Sequence, residues 1–169
     1  LDSLIGPKAY PSIDLAIADK SGVLFHHVAG QPGHQTADAT AYYQIASCTK
    51  SFTGLLTLIL DKEGVIQLDD PVVQYLPSGA AISQTPAVGK TITLRMLVTH
   101  TSGLPGGVDD MGNPKETYKG MQQAKLLGQL AQETLEFPPG TDDSYSNLGM
   151  GLLGHVLQQA SGQTYAELI

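Results

Sequence analysis

The run Ile45-Ala46-Ser47-Cys48-Thr49-Lys50-Ser51-Phe52-Thr53-Gly54-Leu55-Leu56-Thr57-Leu58-Ile59-Leu60 carries the clearest periodicity in the chain. Apolar residues at Phe52, Leu55, Leu56, Ile59 and Leu60 recur at helical spacing. Ser47 stands in a cap-like position ahead of them, and Gly64 falls where a left-handed residue ends a helix. A long amphipathic helix is expected here, with a serine at its start and a lysine three residues on.

Upstream, Ile13, Leu15 and Ile17 alternate, Asp19-Lys20-Ser21-Gly22 makes a polar link, and Val23 to Val28 is β-rich, which predicts an antiparallel hairpin. Residues 30–40 have no period and read as a loop. Downstream, Asp69-Asp70-Pro71 opens a short helical piece to Tyr75, with carboxylates at the positive end of its dipole. Thr93 caps another short helix that ends in a turn from His100 to Pro105. A helix near Tyr118 to Glu133 is broken by Phe137-Pro138-Pro139-Gly140, and Leu148, Leu152, Val156 and Leu157 mark a last helix to about Ala160.

The 169 residues, 41% hydrophobic and 15% charged, suffice for one buried core. Nine basic against sixteen acidic residues give a net charge of -7, which argues against nucleic acid and anionic membranes as partners. No stretch approaches the roughly 20 apolar residues of a membrane span. The single cysteine, Cys48, excludes an internal disulfide and a multi-cysteine metal site.

A serine hydroxyl needs a nearby base to act as a nucleophile. Residues i and i+3 share a helix face, which puts the Lys50 amine over Ser47, while the helix N-terminus offers free N–H groups to a developing oxyanion. To accept a proton that amine must be at least partly neutral. Ser-x-x-Lys alone is weak, because a chain of this length contains roughly one by chance. Ser47 as a plain cap and Lys50 as a solvated side chain fit the tetrapeptide equally. Cys48 is a rival nucleophile, but it lies about 100° around the helix and reads more simply as a small buried residue.

Tyr145-Ser146-Asn147 sits in a polar loop just before a helix. A tyrosine beside a lysine can relay protons, and an asparagine can serve a substrate amide or the lysine. Tyr145 as a packing residue and Asn147 as a helix cap explain the same tripeptide.

Taken together these segments resemble a known family. Ile45 to Thr53 is similar to the nucleophile segment of the serine β-lactamase and penicillin-binding-protein superfamily. Leu97-Val98-Thr99-His100-Thr101-Ser102-Gly103-Leu104-Pro105, and Pro139-Gly140-Thr141 followed by Tyr145-Ser146-Asn147, resemble its class C and esterase-type branch. Order and spacing agree from Gly22 to Leu168. The resemblance implies an α+β, β-lactamase/transpeptidase-like fold, with residues 1–169 forming a single incomplete domain. Residues 1–40 would be hairpin and loop, and 41–169 the helical region with the nucleophile, without the C-terminal sheet strands. Ser47 would be acylated, Lys50 and Tyr145 would share general-base and general-acid work, Asn147 would hold the substrate, and His100 would be structural. One oxyanion-hole N–H would come from the serine itself.

The implied enzyme uses no cofactor and no metal, and takes an ester, β-lactam or D-amino-acid amide to a Ser47 acyl-enzyme that passes to water or another acceptor. The alternative is a catalytically silent fragment or binding module. The family's third element, a Lys- or His-containing strand ending in glycine, is not found. The chain is therefore expected to be an N-terminal portion, completed by a further segment, a second chain or a partner copy. Its start at Leu1 suggests a trimmed end, and the resemblance favours a secreted or periplasmic location.

Other motifs carry less. Gly149-Met150-Gly151-Leu152-Leu153-Gly154 spells a dinucleotide fingerprint but follows a polar loop, not a strand, so its glycines are expected to serve close helix packing. Gly89-Lys90-Thr91 lacks the first glycine of a phosphate loop, since Gln84 takes that place. His26, His27, His34, His100 and His155 show no metal spacing, and Asp109-Asp110 and Asp142-Asp143 read as turns. No G-x-S-x-G elbow supports a Ser-His-Asp hydrolase, although His100 lies beside Ser102.

Overall fold

A computed structural model describes residues 4–5, 10–30, 41–80, 82, 91–106 and 123–169. The expected loop over 31–40, His34, Gln84, Gly89-Lys90, Asp109-Asp110 and the Tyr118 start of a helix lie outside the described residues. The chain forms two compact units, Leu1–Ile45 and Ala46–Ile169.

The first unit is the expected hairpin. Strands β1 (Ser12–Asp19) and β2 (Gly22–Gly30) pair antiparallel, with Ile13 opposite Ala29, Leu15 opposite His27 and Ile17 opposite Phe25. A register shift between Ile17 and Ala18 precedes the turn. Asp19 closes that turn by accepting from the Ser21 amide at 2.7 Å and its hydroxyl at 2.5 Å, which holds its carboxyl below the usual range. Gly22 follows at φ 125°, a conformation open to glycine.

The second unit is helical. A 3-10 turn over Ala46–Cys48 leads into α1 (Thr49–Lys62), a second 3-10 turn spans Val72–Tyr75, and α2 (Leu94–Val98), α3 (Gln123–Leu130), α4 (Asn147–Ser161) and α5 (Tyr165–Leu168) follow. Helix α4 is the centre of the core. It packs against α1, α2, α3 and α5, and Leu148, Leu152, Leu153, Val156 and Leu157 on it are completely buried. Their side chains span about half of the helix circumference, a broad apolar face that several helices share.

Helix α1 is turned differently from the face its leucines predict. Thr53, Leu56, Thr57 and Leu60 are buried, while Phe52, Leu55, Leu58 and Ile59 stay exposed. Two buried threonines are tolerated because each hydroxyl is paired: Thr57 donates to the Thr53 carbonyl at 2.7 Å, and Thr53 bonds the Tyr165 hydroxyl at 2.6 Å. Helical dipoles are also not the main task of the two aspartates. Asp69 takes a bidentate pair from Arg95, both contacts 2.8 Å, and Asp70 accepts from the Gln67 amide and from the Tyr75 hydroxyl at 2.5 Å. With Val72 and Ile92 joined through the backbone, these bonds clamp residues 68–75 to the start of α2.

The segment after α2 lies beside residues 136–147. Gly140 donates to Thr101, Glu136 to Gly103, and Ser144 to His100, at 2.8, 2.8 and 3.0 Å. Gly103 makes the close passage: at φ 78°, a Cβ there would sit 2.2 Å from the Phe137 carbonyl oxygen. Of the fingerprint-like glycines, Gly149 and Gly154 would place a Cβ against Ser146 and Tyr165, whereas Gly151 faces open space. Gly103→Ala is thus expected to destabilise by about 2–4 kcal/mol, and Gly151→Ala to stabilise α4 by about 0.5–1 kcal/mol. Thermal unfolding of both variants checks this, and equal Tm values would contradict the assignment.

Candidate active site

The turn over Ala46–Cys48 presents Ser47. Ala46 lies at φ 45°, an unusual value for a residue with a Cβ, and Ser47 after it is exposed. The N-cap of α1 is Cys48, not Ser47, and its side chain makes no capping bond. Ser47 therefore spends its hydroxyl elsewhere. Cys48 is exposed, where a buried cysteine was expected.

On the facing side, the loop before α4 is fixed by its own cap. Ser146 accepts from the Gly149 amide at 2.8 Å and donates to the Pro105 carbonyl at 2.8 Å, so one hydroxyl starts the helix and ties it to the turn after α2. The sequence leaves Asn147 two readings, a helix cap or a side chain facing substrate or Lys50. With Ser146 as the cap, Asn147 becomes the first residue of α4 and its side chain is free to face α1. Gly106 makes this approach feasible, because a Cβ there would lie 2.7 Å from the Tyr145 carbonyl oxygen.

The four predicted residues come together. Tyr145 donates its hydroxyl to Ser47 Oγ at 2.6 Å, Lys50 Nζ donates to Ser47 Oγ at 3.3 Å, and Lys50 Nζ donates to Asn147 Oδ1 at 2.8 Å. The Lys50 nitrogen also lies 4.8 Å from the centre of the Tyr145 ring. The hydrogen bond with Lys50 pulls the Tyr145 phenol below its ordinary pKa of 10, and the bond with Ser47 adds to this. Lys50 and Asn147 also line a cavity of about 560 Å³ with Thr53, Met150, His155 and Tyr165.

His100, read as structural, is in contact with the same group. Its ring centre is 4.8 Å from that of Tyr145, and its Nδ1 accepts from the Ser146 amide at 3.2 Å. Ser102, its neighbour in sequence, is buried and accepts from the Leu104 amide, so these two do not form a nucleophile and base. Among the described residues, no group of three or more His, Cys, Asp or Glu side chains converges as metal ligands would.

Comparison with known proteins places the chain in a family and a fold. The Beta-lactamase family model covers residues 1–169. Protein flp of Staphylococcus aureus is 33% identical over 133 residues, which are 79% of this chain and 26% of that protein. The solved beta-lactamase/D-alanine carboxypeptidase of Yersinia pestis, complexed with citrate, gives a TM-score of 0.80 at 28% identity, covering 94% of this chain and 45% of that one. A D-stereospecific amidohydrolase from a Streptomyces species gives 0.73 at 29% identity, covering 94% and 47%. The chain spans about a quarter of the curated relative and under half of each solved one. Its helices and antiparallel hairpin are those of a β-lactamase/transpeptidase-like fold, and the chain belongs to the Beta-lactamase family.

Proposed function

We infer that the protein is a serine acyl-transfer enzyme in which Ser47 is the nucleophile, Tyr145 the proton carrier and Lys50 the cation that favours the phenolate. The observation that carries this reading is the convergence of Tyr145 Oη and Lys50 Nζ on Ser47 Oγ, at 2.6 and 3.3 Å. A base must reach the proton it removes, and Tyr145 is the nearer of the two.

In the first step the Tyr145 phenolate takes the Ser47 proton, Oγ bonds the substrate carbonyl carbon, and the resulting oxyanion collapses as the bond to the leaving group breaks. Tyr145 returns its proton to that amine or alcohol. In the second step Tyr145 takes a proton from water or another acceptor, which attacks the acyl carbon; the acyl–Oγ bond then breaks and Tyr145 passes that proton to Ser47 Oγ. Asn147 holds Lys50 through its Oδ1, leaving its amide N–H₂ to donate to a substrate carbonyl. The substrate class is the amide of a D-amino acid, with esters and β-lactams open to the same chemistry. The names of the Yersinia carboxypeptidase and the Streptomyces amidohydrolase support that choice.

A fluorophosphonate should add once to the protein, read by intact mass, and Ser47→Ala should abolish the adduct. An adduct that survives the substitution would assign the nucleophile elsewhere, and none on the wild type would favour a silent scaffold.

Lys50→Ala should slow acylation by about two to four orders of magnitude. An unchanged rate would remove Lys50 from the mechanism.

The pH profile separates the partners. Because the Tyr145 pKa is lowered, the acylation rate should rise with pH and level off below pH 10. In Lys50→Ala the levelling should move up toward the ordinary phenol value, and in Tyr145→Phe the rise should vanish. A rise that persists in Tyr145→Phe would make another group the base.

A further inference from the structure

His100 holds three consecutive residues. Its backbone carbonyl accepts from the Ser144 amide at 3.0 Å, its ring packs on the Tyr145 ring at 4.8 Å with an angle of 34°, and its Nδ1 accepts from the Ser146 amide at 3.2 Å. The backbone reaches this geometry at φ 61°, left-handed for a residue that is not glycine. Its own amide is anchored on the Leu97 carbonyl at 3.3 Å, at the end of α2. An unfavoured backbone conformation supported on both sides and aimed at a site is the pattern in which local strain serves function.

The ring contact has a chemical condition. A ring nitrogen accepts a hydrogen bond only when it carries no proton, so the neutral ring bears its proton on Nε2. Protonation at Nδ1 sets N–H against the Ser146 N–H and loses that bond. It also adds a second cation beside Tyr145, whose ring already lies 4.8 Å from the Lys50 nitrogen. The groups facing His100 are Lys50 from α1 and the Tyr145 phenol from the loop before α4. Asp142 and Asp143, farther up that loop, are exposed, and Arg95 on α2 is engaged by Asp69.

We propose that His100 is a positioning residue and the acid-side switch of this site: neutral, it holds Tyr145 against Ser47, and protonated at Nδ1 it releases the Ser146 amide and the tyrosine with it. Burial first, and Lys50 second, push the imidazole below its ordinary pKa of 6.5, which keeps the holding form dominant near neutrality. Only the kinetic part of the inference rests on the acyl-transfer reading.

The test follows the Ser146 amide and the Tyr145 ring carbon by NMR in the whole chain, titrated between about pH 5 and pH 7.5. Both signals should move together with one midpoint below 6.5. His100→Asn keeps a residue tolerant of the left-handed conformation and a side-chain acceptor but removes the titration, so both shifts should disappear. In acylation kinetics, the wild-type rate should fall below pH 6.5 with a slope of about two on a logarithmic scale rather than one. His100→Asn should restore a slope of about one, and His100→Ala should lose about a hundredfold at every pH. Signals that stay still in the wild type, or that titrate alike in His100→Asn, overturn the proposal. If no adduct forms at Ser47, the acyl-transfer reading fails while the NMR titration still decides the role of His100.

Discussion

The bond from Lys50 Nζ to Asn147 Oδ1, 2.8 Å long, crosses from the first turn of α1 to the first residue of α4. Both helices present their N-terminal ends at this point, where the peptide dipoles disfavour a cation. A partly buried ammonium is held there because Asn147 and Ser47 each accept one of its hydrogens. The local field therefore favours negative charge on whatever sits beside the lysine. The Tyr145 phenol responds in that sense, since its pKa is lowered chiefly by Lys50. Moving α4 by a fraction of a helical turn would break this bond, which is why the cap at Ser146 and the close passages at Gly103 and Gly106 matter to the site as well as to stability.

Much of this was legible in the chain itself, for reasons that differ by element. The hairpin is local: a polar link between two β-rich runs is enough, and β1 and β2 pair as that pattern requires. The Thr93 cap of α2 and the length of α4 are local too. The four site residues could be named because two short motifs carry them, yet their distances depend on packing between segments 97 and 98 residues apart, which periodicity does not encode.

What stayed hidden is which partner each polar side chain meets once the chain has packed. Helix α1 buries Thr53 and Thr57 because Tyr165 and a carbonyl satisfy them, so the leucine spacing pointed to a different face. Asp69 and Asp70 looked like dipole partners until Arg95 and Tyr75 were found on them. The left-handed backbone at His100 was not legible, because a positive φ at histidine has no sequence signature. The cue available was the glycine- and proline-rich turn that follows it, which announces unusual backbone without saying what it holds.

The separation of Ser47 from Tyr145 along the chain has a consequence for synthesis. Bringing residues 98 positions apart into contact costs about 4 kcal/mol of chain entropy, and that cost is recovered only when the helices between them have packed. A ribosome adding roughly 5–20 residues per second leaves Ser47 without its partner for several seconds after it is made. During that interval it is an ordinary alcohol. The contacts of Ser47 with Tyr145 and Lys50 are complete only after α4 has been made and packed, so a chain halted before α4 carries Ser47 without its tyrosine partner.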